Sequence, residues 1–287
     1  MADYSVRPPI CADDRWYPAS PEALHREVNG YIESAPALDL AGEVVGLVAP
    51  HAGYFFSGHV AGAGYRQIQG RHYDTVVLIG PDHRGLASGG LALPDYDAWH
   101  TPLGDVAVDR DVIAALDQRL SLRRIKRDSE HSLEVQLPFL QATLGDFKLA
   151  PIIMGDPSPA ACRELGLAVA EVVRDRQALL VASTDLSHYY PDEHARRLDE
   201  HTLKYVLNFD PEGLAKALSR NEAHACGGSP VAAVMIAARE LGANQAQLVR
   251  YATSGDVWED RSQVVGYAAV ALVRSQSAEN QQAEVGR

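Results

Sequence analysis

The sequence predicts a single α/β domain, a three-layer α/β/α sandwich with a mixed, mostly parallel central sheet, and three observations carry that expectation. Short β-branched apolar runs alternate with longer segments of helical spacing. Most of the runs are apolar at every position, as strands covered by helices on both faces must be. At 287 residues, with 46% apolar and 22% charged side chains, the chain can bury a proper core, and with 23 Gly and 16 Pro it is neither collagen-like nor of low complexity.

Taken along the chain, strands are expected at 44–49, 75–80, 149–154, 178–183, 247–251 and 264–273. Helical spacing occupies 58–69, 109–120, 131–145, 159–174, 193–208, 211–219 and 230–241. Some helix ends are readable. Asp210 before Pro211 and Ser229 before Pro230 have the form of an N-cap followed by a first-turn proline, and Gly242 follows the last helix. Pro138 lacks an N–H and predicts a kink or a split within 131–145. No Ser/Gly/Pro-rich linker and no repeat divides the chain, so residues 1–274 read as one domain and the polar stretch 275–287 as a disordered tail.

Charge and cysteine content exclude several classes. A net charge of −12 and a pI near 5.3 argue against a protein that tracks nucleic-acid phosphates, which needs clustered Lys and Arg. The basic cluster Arg123, Arg124, Lys126 and Arg127 is read as a solvated loop or helix end. The longest apolar run, 264–273, is strand-sized and far short of the ~18 residues that span a bilayer. With no basic and then apolar leader at the N-terminus, a cytoplasmic location is expected. Three cysteines, Cys11, Cys162 and Cys226, cannot all pair, so any special one is a ligand or a nucleophile.

The chemistry collects at strand ends. His51, His83 and His188 each follow a predicted strand, and in an α/β sheet ligands bind beyond the carboxyl ends of the strands, where distant residues converge. Gly and Pro flank His51 in Pro50-His51-Ala52-Gly53 and His83 in Gly80-Pro81-Asp82-His83-Arg84-Gly85, making tight turns that present a side chain. Cys226 directly precedes a helix, whose N–H groups are expected to stabilise its thiolate; a small buried hydrophobe is the alternative. Asp185 and His188 would share a face if a helical turn begins there, the carboxylate then orienting the imidazole; otherwise Asp185 caps a turn. Glu130 beside His131 suits a helix start without any catalytic duty. Two imidazoles and a thiolate match a mononuclear site for iron, copper or zinc rather than magnesium or calcium. Cys-x-x-Cys, His-Glu-x-x-His, a P-loop, a dinucleotide fingerprint and Gly-x-Ser-x-Gly are all absent.

Together APHAGY, GPDH, EHSLEVQLPF, STDLSH and CGGSP, in that order, resemble the Memo family, known in bacteria as the AmmeMemoRadiSam system protein B, from about Val6 to about Val273. The resemblance implies a fold related to the class III extradiol dioxygenases, in which an α/β/α domain holds non-haem iron. It places the metal ligands on His51, His83 and Cys226, with Asp185 and His188 lining the pocket, His188 as an acid/base and His131 as a substrate-side hydrogen-bond partner. The dioxygenases use a glutamate where this chain has Cys226, a softer, more electron-donating ligand that shifts metal preference toward copper or an oxidase-like outcome. The implied function is a metal-dependent redox protein, an oxidase- or dioxygenase-like enzyme using Fe2+, or else copper or zinc, on a small substrate. A peptide-binding module and a hydrolase or transferase using Cys226 are the alternatives. AMMECR-like and radical SAM proteins encoded nearby are the implied partners. Asp97, Trp99 and His100 are candidates for the pocket's border, although packing is the commoner role for a loop aromatic.

Overall fold

Every apolar run singled out above forms a strand. The computed structural model describes residues 4–40 and 42–275; of the tail expected to be disordered, 276–287 lie outside the described residues. In chain order the elements are β1 (Val6–Arg7), α1 (Pro21–Glu33), β2 (Gly42–Ala49), α2 (Tyr54–Arg66), β3 (Thr75–Pro81), β4 (Leu91–Pro94), β5 (Ala98–Thr101), β6 (Gly104–Ala107), α3 (Arg110–Asp117), β7 (Leu122–Ile125), α4 (Leu137–Leu144), β8 (Lys148–Met154), α5 (Pro159–Val173), β9 (Ala178–Ser183), β10 (His188–Tyr190), α6 (Asp192–Leu207), α7 (Pro211–Ser219), α8 (Gly228–Glu240), β11 (Gln245–Thr253) and β12 (Val264–Ser275).

The large sheet runs β10-β12-β2-β9-β3-β8-β4-β7, with β11 also paired to β12. Its centre, β2, β9, β3 and β8, is parallel. The sheet turns antiparallel where β12 meets β2 and where β4 meets β8, and a further parallel pair, β4 and β7, closes the far edge, so it is mixed. β3 is buried at every position, as a strand covered on both faces must be. α2 packs on β2, β11 and β12 with α1 and α4 beside it, while α8 packs on β2, β3 and β9 with α5 and α7 beside it. No helix among the described residues is long and apolar enough to cross a membrane.

Some local readings are corrected. α2 begins at Tyr54 rather than near Gly58. The segment 131–145 is helical only from a 3-10 turn at Glu134–Gln136, and Pro138 sits in the first turn of α4, where its missing N–H costs nothing. Arg123 and Arg124 lie on the edge strand β7, and Arg124 pairs with Asp95 and Asp117. α1 was not anticipated, although Ser20-Pro21 repeats the cap signature of Asp210-Pro211; its buried stripe, Leu24, Val28 and Ile32, is narrow.

A second sheet, β1-β5-β6, ties the N-terminus to the domain. Trp99 is therefore not at a pocket border: it is fully buried, with the Arg7 guanidinium 4.1 Å above its ring. Asp97 accepts from Ser5 N and pairs with Arg110, and exposed His100 pairs with Asp105. Arg7 is itself buried between two buried acids, bonding Asp128 at 2.5 Å, Glu134, and the Glu130 carbonyl at 2.9 Å. Two carboxylates in one dry pocket are tolerable only because this cation lies between them.

Removing that cation by Arg7→Met is expected to cost about 3–5 kcal/mol, because two charges are left buried and unpaired. Urea unfolding of the metal-free protein measures it, and an unchanged midpoint would rule the account out.

Candidate metal centre

Parallel strands finish on the same edge of a sheet, and this edge assembles the site. β2 leads into Pro50 and His51, β3 into Asp82 and His83, and β9, which lies between them, into Thr184 and Asp185. One ring nitrogen each from His51, His83 and His131 lies within 4.8 Å of the others, and no further group of three or more metal-type donors is so placed among the described residues. The His83 and His131 rings stack at 4.8 Å between centroids, and His51 stands edge-on to both. His131, read from the resemblance as a substrate-side partner, is thus part of the imidazole cluster itself.

Hydrogen bonds choose the tautomers. The Ser183 hydroxyl donates its one proton to the Ser132 carbonyl at 2.6 Å, so it can only accept from His51 Nδ1 at 3.0 Å. The His51 proton therefore sits on Nδ1, and Nε2 keeps its lone pair for the cluster. Glu130 does the same for His83: one carboxylate oxygen accepts from His83 Nδ1 at 3.0 Å and the other from His83 N at 2.7 Å. This fully buried acid is the functional residue that sequence reading missed. Its only sequence signal was its place beside His131, and it does not sit in the first turn of a helix, as was assumed.

Cys226 joins the cluster through His51, its Sγ lying 3.1 Å from His51 Nε2. The turn that carries it is locked to the β9 exit. Cys226 N donates to the Asp185 carbonyl at 3.2 Å, Asp185 N donates to Cys226 Sγ at 3.3 Å, and Gly227 N donates to Thr184 Oγ1 at 2.9 Å. Gly227 leaves no room for a Cβ, which would come 2.2 Å from the Ser183 carbonyl. In the metal-free protein burial, with Asp185 adding to it, pushes the Cys226 thiol up to about 12, and the neighbouring N–H groups, which favour the thiolate, pull against that rise. Cys11 and Cys162 are buried elsewhere in the core.

Asp185 and His188 do not form the expected pair, because residues 184–187 are not helical and the two side chains turn to different partners. Asp185 Oδ1 accepts from His51 N at 2.8 Å, so the acid fixes the backbone of the first histidine. His188 Nδ1 donates to the Leu186 carbonyl at 2.9 Å, which leaves Nε2 as the acceptor. The N-terminal segment roofs the site. Trp16 lies over His131 with 4.2 Å between ring centroids, and the Trp16 carbonyl accepts from Tyr54 N at 2.8 Å. Gly53 permits that approach, since a Cβ there would come 2.7 Å from the Arg15 carbonyl. Glu134 tethers the same segment through Ile10 N, Cys11 N and the Tyr17 hydroxyl.

Electrostatically the pocket favours neutral imidazoles. Burial, then the other histidines, pushes His51 well below 6.5. Burial brings His131 down to about 4 despite Glu130, and lowers His188 as well. Burial also pushes Asp185 up to about 7 against the pull of its backbone donors. For Glu130 burial loses: the bonds from His83 and Ser132 and the nearby imidazoles hold its carboxyl at about 2. Neutral imidazoles beside an ionised supporting carboxylate are what a metal ion requires of its ligands.

The profile of a family described as Memo-like protein matches residues 7–271. "MEMO1 family protein MK0963" of Methanopyrus kandleri is 37% identical over 274 residues, covering 91% of this chain and 96% of that one. A "MEMO1 family protein" of Methanosarcina acetivorans is 39% identical over 269 residues, covering 92% and 98%. Another, of Nitrosopumilus maritimus, is 34% identical over 276 residues, covering 93% and 100%.

The Glu130 bonds set a pH dependence. Its folded pKa lies below its unfolded value, so the stability it contributes is complete above 4.5 and is lost as the pH falls toward about 2. That gap corresponds to roughly 3 kcal/mol. Metal-free Glu130→Gln is expected to lack this part of the acid-side loss between pH 5 and 2.5, read from urea midpoints; parallel wild-type and variant curves would refute it.

Proposed function

The chain belongs to the Memo-like family, and from that premise we propose that it is a metal-dependent redox enzyme acting on a small organic substrate, its ion held by His51, His83 and Cys226 with His131 alongside. Ferrous iron is the proposed ion, with copper or zinc as the alternatives. The observation that carries this reading is the set of bare nitrogens facing one another: imidazoles whose other nitrogens are committed to Ser183 and Glu130, with a thiol beside them.

The donor set fits the group. His51, His83 and His131 would offer it ring nitrogens that lie within 4.8 Å of one another, and Cys226 Sγ, 3.1 Å from His51 Nε2, would join them from the His51 side. His131 Nδ1 is a buried polar atom with no hydrogen-bond partner among the described residues; Glu130 lies 3.2 Å away, off the hydrogen-bond direction. Such an atom is costly unless something else satisfies it. When bound, iron or copper supplies Lewis acidity and one-electron redox chemistry.

The chain's own residues do the rest. Ser183 and Glu130 engage Nδ1 of His51 and His83 and so turn Nε2 of each ring inward. Trp16, over His131, keeps water from that side of the pocket. His188 Nε2, unprotonated while Nδ1 donates to Leu186, takes up a proton from substrate and returns it.

Metal analysis after anaerobic reconstitution with ferrous iron tests the proposal. Wild type is expected to retain close to one ion per chain, and His51→Ala, His83→Ala and Cys226→Ala to lose most of it. Glu130→Gln is expected to weaken binding about 10–100-fold while the fold survives. Equal metal in wild type and the three alanine variants would sink the reading.

A further inference from the structure

Asp199 is a buried acid for which the metal site has no direct use. It lies on α6, fully buried, and its carboxylate is met by neutral donors: Ser187 N at 2.8 Å on Oδ1 and the Tyr251 hydroxyl at 2.7 Å on Oδ2. Burial pushes its pKa upward, and these bonds oppose the rise. β12 is shaped around it. A Cβ at Gly266 would come 1.9 Å from Asp199 Oδ2, so the backbone of β12 reaches the acid only because residue 266 is glycine.

Those contacts surround the turn that presents His188. Leu186 N donates to the Gly266 carbonyl at 2.8 Å, Gly266 N donates to the Ser187 carbonyl at 2.9 Å, and Ser187 N donates to Asp199. Leu186 and Ser187 are thereby pinned from β12 and from α6 at once. The next residues need that hold. His188 donates from Nδ1 to the Leu186 carbonyl, so its tautomer depends on where that carbonyl points. Tyr189 takes a left-handed φ of 64°, a conformation a side chain with a Cβ disfavours, while the residue is 72% exposed and packing gives little compensation. His188 lies near enough to His51 to lower the pKa of that imidazole, and its own is lowered in turn by His83.

We infer that Asp199, steadied by Tyr251, is the positioning residue for His188: it pins the 186–187 turn so that the imidazole keeps its proton on Nδ1 and offers Nε2 to the pocket. The inference rests on the proposed function only for the use to which Nε2 is put. A carboxylate suits the position because both oxygens accept, one from an amide and one from a phenol. An asparagine can keep the Ser187 bond through its carbonyl and turn its NH2 toward the Tyr251 oxygen, so Asp199→Asn is the conservative variant.

The test is imidazole 15N NMR of histidine-labelled protein loaded with zinc, a diamagnetic probe. Wild-type His188 is expected to show the Nδ1–H tautomer. In Asp199→Ala and Tyr251→Phe its population is expected to fall by about twofold or more, with Asp199→Asn keeping most of it and zinc stoichiometry unchanged throughout. A His188 tautomer that is the same in every folded variant would overturn the inference, as would zinc lost in step with it. Should Asp199→Ala fail to fold, Tyr251→Phe decides, because it removes one hydrogen bond and no charge. Should wild type take up no zinc, the metal reading fails on its own, and the tautomer comparison in the metal-free protein still settles the role of Asp199.

Discussion

Four neighbouring strands running in the same direction constrain everything else in this molecule. Because β2, β9, β3 and β8 are parallel, their exits lie side by side on one edge, and residues far apart in sequence, His51, His83 and Asp185, emerge within reach of one another. A hairpin sheet would have sent alternate exits to opposite edges. The tight turns after each strand, with Pro50 and Gly53 around His51 and Pro81 before His83, keep those side chains at the rim rather than on a long loop.

Buried acids form the second level of construction. Glu130, Glu134, Asp185 and Asp199 all sit out of water, and each has its oxygens met by donors from distant parts of the chain. A buried acid is stable only when such donors arrive together, so each makes one arrangement of several segments strongly preferred. Glu134 decides where the N-terminal roof lies, Glu130 how the His83 ring is turned, and Asp185 where the His51 backbone stands. Arg7 links two of these acids to each other, bonding the Glu134 side chain and the Glu130 carbonyl.

Much of this was legible in the sequence because it was written in short-range signals. Apolar β-branched runs gave all the long strands, and proline-capped starts such as Asp210-Pro211 marked helices. The strand-end histidines and the cysteine before α8 could be gathered from position alone. Partnerships chosen by long-range packing could not. Asp185 beside His188 in sequence looked like a pair, yet the fold turns the acid to His51 N and gives His188 the Leu186 carbonyl. Glu130 looked like a helix-start residue, and Trp16 carried no signal, because nothing near either in sequence announces His83 or His131. The two- to four-residue strands β1, β4, β5, β6 and β7 are too short for any periodicity to register.

The position of β9 bears on how the polypeptide is made. β2 and β3 leave the ribosome before β9, but they do not pair with each other; β9 has to slot between them, and Cys226 follows later still. Until then two apolar strands wait with unsatisfied edges, the condition in which nascent chains recruit chaperones or stick to one another. The pocket is therefore closed only after β9 and the Cys226 turn have both been made.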